Sequence, residues 1–419
     1  MTARGREIPP EQGFPGSVLD GDRTLAYPAV VAGCDTCRQD LAFLRQATRP
    51  SYETGEAAIR VVDLFCGCGG LTLGVAEAAR RLGYSLEIPL AVDSDTAALR
   101  VFEHNFPGAT TESKAVEELF DGELGSRPTP DEKALRRETG RVDVLAGGPP
   151  CQGHSDLNNH TRRRDPRNAL YDRMARAAEV LKPSVVVIEN VPAVVRDAAG
   201  VVGVAEQALR DAGYAVAHRT MNLGELGVPQ RRRRHLLIAF ADDSKNPMDA
   251  LDQLAAPCAE HPTRSVRWAI EDLEDLEPDN DFDRAPTPTE ENAQRIAWLF
   301  AHGKRDLDNS ERPKCHREKK HTYNSMYGRL SWDEPAQTIT TGFGSMGQGR
   351  YVHPSQPRTI TPHEAARLQG FPDFFDFTVV AKRTAWARLI GNAVPPLLAS
   401  NVATVVIPQI TANALEKAA

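Results

Sequence analysis

The chain has 419 residues, of which 41% are hydrophobic and 26% charged, and a net charge of −7. That length and balance fit a globular protein of about two domains with a large core, and the acidic total excludes a protein that coats nucleic acid by charge alone. No apolar run approaches the roughly 20 residues that span a bilayer, and MTARGREIPPEQGFPG at the N-terminus lacks the apolar stretch of a secretory signal, so no membrane partner and a cytoplasmic location are expected.

Residues 1–56 are rich in Pro, Gly and charge with little periodicity, which predicts a partly ordered extension. CDTC at 34–37 has metal-ligand spacing, but no second CxxC follows and no metal is expected. Seven cysteines, an odd number in a long chain, argue against a disulfide framework. The pattern then changes. AIRVVDLF (58–65), CGCGG and LTLGVAEAARRLG read as strand, glycine turn and helix. A second strand is predicted at 86–93, a helix at 96–106, a strand at 142–147 and a helix at 168–183 that stops at Pro183. SVVVIEN (184–190) reads as a fully buried strand. A helix around 200–212 follows, then two late strands, YAVAHRTMN and RHLLIAF. Beyond about residue 241 periodicity weakens, until TPHEAARLQG predicts a helix capped by Thr361 and stopped by Gly370. GNAVPPLLASNVATVVIPQI (391–410) reads as a turn and an apolar helix.

Strands alternating with helices predict an α/β fold with a mostly parallel sheet and helices on both faces. Ligands of such sheets sit beyond the carboxyl ends of the strands. Those ends carry Asp63 to Gly70, Asp93, Gly147 to Cys151, and Glu189 with Asn190. Glycines there let a ligand approach the backbone and let a helix start close to the strand. Asp93 stands where dinucleotide folds place an acid for ribose hydroxyls. In GGPPCQGHS, Pro149 and Pro150 fix two φ angles just before a thiol, Cys151, which makes a rigidly presented nucleophile. Glu189 ends an apolar strand, where burial raises a carboxyl pKa unless the group is paired. A thiol and an acid so placed are a nucleophile and an acid/base partner; pairing of Glu189 with an arginine is the structural alternative. Basic runs (Arg162, Arg163, Arg164; Arg231 to Arg234; 312–321) are segregated from an acidic run at 271–283, as in a protein with one anionic partner face, although any single run also reads as solvated surface.

DLFCGCGGLTLG, GGPPCQGHS, IENV, QRRRR, RTITPHEAARLQGFPD and GNAVPP occur in that order over roughly residues 58–412. This ordered set resembles the DNA (cytosine-5)-methyltransferase family. The resemblance implies a Rossmann-like methyltransferase fold with catalytic residues 57–245, a smaller irregular target-recognition domain at 246–355 and a C-terminal return at 356–419. It implies S-adenosyl-L-methionine as cofactor, held by Phe65, Gly67, Gly69, Asp93, Pro149, Pro150, Leu170, Asn392 and Val394. It implies addition of Cys151 to cytosine C6, with Glu189 at N3 and the exocyclic amine, Arg234 at O2 and Arg232 close to the catalytic centre. The cytosine would be flipped out of double-stranded DNA. DNA contacts are expected from Gln152, Ser155, Arg162, Arg163, Arg164, Gln230, Arg231, Arg233 and Thr338.

Two departures stand out. The acid that the family places at the third strand for the adenine is missing near Ala115, with Glu117 as a candidate replacement, and His154 replaces the usual bulky residue after PCQG. The expected protein is a monomeric DNA methylase of a restriction–modification system, paired with an endonuclease, or an orphan. A tRNA cytosine methyltransferase and a catalytically silent DNA-binding homologue are the competing readings. A dinucleotide oxidoreductase leaves GGPPCQ and IENV unexplained.

Overall fold

The computed structural model describes residues 34–55, 57–150, 170–255, 263–317 and 326–416. Seven strands form one sheet in the order β3-β2-β1-β4-β5-β8-β6. They are β1 (Ala58–Leu64), β2 (Ser85–Val92), β3 (Thr111–Glu112), β4 (Val144–Gly147), β5 (Val185–Asn190), β6 (Ala215–Asn222) and β8 (Arg233–Phe240). β1 to β5 run parallel, and β8 is antiparallel to both β5 and β6. Every residue of β5 is buried, as expected of an inner strand covered on both faces.

Helices close both faces. Helices α5 (Leu170–Leu181) and α6 (Val201–Asp211) cover one, over Leu64, Leu145, Val186 and Ile188. On the other lie α2 (Gly70–Arg81), α3 (Thr96–Asn105) and the long C-terminal α12 (Pro396–Glu416), over Val61, Val144, Val187 and Leu236. Alternation along β5 therefore turns Glu189 toward α2 and α12. α12 packs along α2 at very short range. A Cβ on Gly70 would stand 2.3 Å from Val394 O, and one on Gly74 2.3 Å from Pro396 O and 2.5 Å from Ala399 Cβ. These two glycines bring the end of the chain back to the first strand.

The run Arg383–Ala412 is, against the sequence expectation, long and apolar enough to cross a membrane, but 72% of its apolar 18-residue window is buried inside the fold. It spans α11 (Arg383–Asn392) and most of α12, and its apolar side chains serve the core.

Three sequence expectations change here. First, the extension is integral from Cys34 onward. α1 (Asp35–Leu44) buries Cys37, Phe43 and Leu44, its Asp40 meets Arg81 and Arg264, and Leu44 O and Gln46 O accept from the amides of Asp373 and Phe374. CDTC serves as a helix cap, with Cys34 Sγ accepting from the Cys37 amide at 3.3 Å. Second, residue 246 does not divide two cores. α7 (Pro247–Ala255) packs on β6 and β8, and α8 (Val266–Ile270) packs on α10 (Pro362–Gln369). A separate small core comprises Ile296, Leu299, Leu307, Tyr327, Met346 and Val352 around α9 (Glu290–Ala301) and the paired β9 (Gly328–Arg329) and β11 (Arg350–Val352). Third, the acidic run is partly spent inside the protein. Asp272 takes Arg45 and Arg367, and His363 lies between Asp283 (2.8 Å) and Asp373 (2.9 Å).

Burial alone would lower the His363 pKa, but the two carboxylates outweigh it and raise it to about 9 from 6.5. A raised folded-state pKa contributes stability that is whole below pH 6.5 and is lost as pH rises through about 9. In urea titrations the advantage of the wild type over H363N should shrink between pH 6 and 9.5, by on the order of 3 kcal/mol. G74V forces the α2 and α12 backbones apart, and is expected to cost roughly 1–3 kcal/mol in the same measurement.

Candidate active site

One side of the site is built where β1 ends. Phe65 has φ 58°, a left-handed conformation that strains a bulky residue and marks a forced turn. Gly67 (φ 55°) takes the same region without strain, and its amide donates to Asp93 Oδ2 at 2.8 Å. The Asp95 amide donates to Asp93 Oδ1 at 2.8 Å. Asp93 thus sits fixed at the end of β2, with a lone pair on each oxygen left for hydroxyl donors. Burial pushes its pKa up, against the Gly67 amide and Arg388. Asp63, at the end of β1, accepts from Thr72 Oγ1 at 2.6 Å through Oδ2, while Oδ1 has no hydrogen-bond partner among the described residues. Burial, helped by Asp93, raises its pKa to about 7.

The other side begins at β4. Leu64, Gly147 and Ile188 stand in register across three strands, so the ends of β1, β4 and β5 meet at one edge. Gly147 carries no side chain because a Cβ would strike Met174 Sδ and Leu64 O. Asn190 Nδ2 donates to Pro149 O at 3.2 Å and ties the Pro-Pro step to β5. Glu189 faces Leu236 across β5 and β8, and Arg234, two residues before Leu236, reaches the same face diagonally. Arg234 Nε lies 2.5 Å from Glu189 Oε1, and both side chains are nearly enclosed.

These groups line one cleft of about 540 Å³, a size that suits a small-molecule ligand. It joins Phe65, Gly67, Asp93, Pro149, Pro150, Leu170, Asn392 and Val394 with Glu189, Arg232 and Arg234. Eight of the nine expected cofactor positions therefore meet. Gly69 does not line the cleft. Its Cα faces Phe102 and Phe106, where a Cβ would come within 2.7 Å of a ring carbon, so its φ of 96° serves the start of α2.

The QRRRR run alternates about the junction of two modules. Its first two residues form β7 (Gln230–Arg231), parallel to β10 (Ala336–Gln337). Gln230, expected at the DNA, is fully buried. Its amide donates to Leu368 O and Gln369 Oε1, both at 2.7 Å, and its oxygen accepts from the Ile339 amide. Burial and these three hydrogen bonds fix it inside the protein. Arg232 is also buried and holds Gln369 Oε1 and the carbonyls of Ile339 and Ala393. It lines the cleft as a positioning residue between β7, α10 and the Asn392 turn. Arg231 and Arg233 point outward. Thr338, half-buried, donates to Arg231 O at 3.0 Å.

Cys151, Gln152, His154, Ser155, Arg162, Arg163 and Arg164 lie outside the described residues. The two cysteines of the glycine turn are not rival nucleophiles, since burial holds the Cys66 thiol well above its usual pKa and pushes Cys68 up to about 12. Sequence reasoning left Arg388, Lys114 and Asp95 unassigned, although all three line the cleft, and Arg388 is ion-paired to Asp95. Asp63 carried a signal, its place at a strand end. Arg388 carried none, being 293 positions from its partner. Near the missing family acid, β3 stops at Glu112, and Lys114, Ala115, Val116 and Glu117 all line the cleft.

The C-5 cytosine-specific DNA methylase model matches residues 59–407, and the chain belongs to that family. It is a DNA cytosine-C5 methyltransferase. It is 46% identical over 359 residues to the type II methyltransferase M1.BsuMI of Bacillus subtilis, covering 86% of this chain and 83% of that protein. It is 30% identical to the type II methylase M.HgiDII of Herpetosiphon aurantiacus, covering 82% and 93%. The crystal structure of the S. pombe Dnmt2 methyltransferase superposes with a TM-score of 0.57 at 17% identity, over 85% of this chain and 99% of that one, a likeness of fold.

Truncating Arg234 leaves the Glu189 carboxylate enclosed and unpaired. R234A should lower unfolding stability by about 3 kcal/mol, and the double variant R234A/E189Q should recover part of it in the same urea titration.

Proposed function

We propose that the chain methylates C5 of a cytosine flipped out of double-stranded DNA, with S-adenosylmethionine as donor, Cys151 as nucleophile and Glu189 as acid. The observation that carries this reading is the single cleft that joins the Asp93 side to the Glu189–Arg234 pair. The donor fits the residues present. Among the described residues Asp63 keeps an unpartnered oxygen, Asp63, Asp93 and Glu117 face the positive charge on the ligand's sulfur and nitrogen, and Lys114 and Arg388 offset part of that field. Phe65, Gly67, Asp93, Leu170, Asn392 and Val394 would hold it, with Asp93 on the ribose hydroxyls.

When bound, S-adenosylmethionine supplies the electrophilic methyl group that cytosine C5 takes up. The protein's part is to make C5 nucleophilic. The Cys151 thiolate adds to C6, and Glu189 hydrogen-bonds N3 and delivers the proton that the ring takes up there. Arg234 keeps Glu189 aimed into the cleft and holds the cytosine O2. Once C5 is methylated, its proton leaves to solvent, the C5–C6 double bond re-forms, the thiolate is expelled, and N3 returns its proton to Glu189. Arg233, exposed and unpaired among the described residues, grips a phosphate.

The names of the relatives support a place in a restriction–modification system, with a separate endonuclease reading the same site. The chain acts as a monomer.

DNA in which the target is 5-fluorocytosine tests the mechanism, because the fluorine cannot leave as a proton does. With donor present, the wild type should form a protein–DNA adduct that survives denaturing electrophoresis, and C151S should form none. An adduct in C151S, or its absence in an active wild type, contradicts the assignment.

A further inference from the structure

Glu334 takes no part in the chemistry above, yet it occupies two arginines beside the site. Arg231, on the outward side of β7 with 57% of its side chain exposed, places Nη2 2.7 Å from Glu334 Oε2. Arg305, from the loop after α9, places Nη1 2.5 Å from Oε1 and Nη2 2.7 Å from Oε2. One carboxylate is thus shared by guanidiniums from the two modules. Its backbone is anchored, since Glu334 O accepts from the Val266 amide at 2.9 Å and the chain enters β10 two residues later. The Arg305 hydrogen bonds and the Arg231 charge, against partial burial, lower its pKa, so it is ionised at neutral pH.

Arg231 adjoins Arg232, which lines the catalytic cleft. Arg233, on the same outward side, has no such acid among the described residues. A carboxylate that takes an arginine through two oxygens presents nearly the same pattern of acceptors as a phosphate.

We propose that Glu334 stands in for a DNA phosphate, holding Arg231 and Arg305 until a duplex docks. It thereby weakens binding to DNA that offers phosphates but no target. Docking exchanges the carboxylate for phosphates and leaves an unpaired anion beside the backbone, an opposition that recognition contacts at a cognate site offset and a random site does not. The proposal rests on the reading that the substrate is duplex DNA.

Fluorescence anisotropy on a duplex of about 30 base pairs made only of A·T pairs, which contains no cytosine, tests it over a range of salt. The full-length wild type should bind weakly. E334Q should bind several-fold tighter, with log K falling more steeply against log salt by about one to two, one increment for each arginine released. The gain should disappear in an E334Q/R231A/R305A variant compared with R231A/R305A. Equal or weaker binding by E334Q, or a gain that persists without both arginines, overturns the proposal. Should E334Q fail to fold, E334D, whose shorter side chain loosens the same bridge, should show a smaller gain, and no gain overturns it equally. A wild type that binds neither this duplex nor a cytosine-containing duplex at any salt overturns the duplex reading, and the role of Glu334 with it.

Discussion

The register of β5 between β4 and β8 is the constraint on which the site depends. Side chains alternate with a period of two, so a slip of one residue would turn Glu189 away from α2 and α12 and set Arg234 on the wrong face. The register is secured by burial. Val185 to Ile188 are enclosed on both faces, and each side of the strand has its own apolar layer. The apolar run therefore does more than stabilise: it fixes which face an acid at its end must occupy.

A second constraint is the return of the chain. Asn392 and Val394 reach the cleft because α12 lies against the glycine face of α2. Gly70 and Gly74 act at the backbone of the C-terminal segment, Gly67 acts at Asp93, and Gly69 acts at two phenylalanines. One short glycine-rich stretch thus positions the donor side directly through Gly67 and indirectly through the others. The buried Gln230–Gln369–Arg232 cluster does the same work at the opposite wall, where it locks β7, α10 and the turn before α12.

Much of this was legible in the sequence where information is local. The parallel strands, their helices, the cap at Thr361 and the gathering of Asp93, Pro149 and Glu189 at one rim follow from periodicity and punctuation. What escaped depends on distant pairs. Nothing near Arg388 indicates Asp95, and nothing in QRRRR separates a buried glutamine from exposed arginines until β10 is seen beside it. The attachment of α7 escaped for a related reason. α7 is short and follows polar residues, so its attachment to β6 and β8 is visible only in three dimensions. Acidic residues 272 and 283 read as surface because their partners, Arg367 and His363, lie some 80 to 95 positions away.

In the proposed mechanism Glu189 serves the cytosine and not the donor, although both share one cleft. The most direct test is E189Q, measured twice: donor affinity by calorimetry and methyl transfer in a single turnover. Glutamine keeps the size of the side chain and removes its proton chemistry, so affinity should stay within about twofold while the transfer rate falls by roughly 10²–10⁴. A variant that transfers methyl groups at the wild-type rate, or that loses the donor itself, would contradict the account.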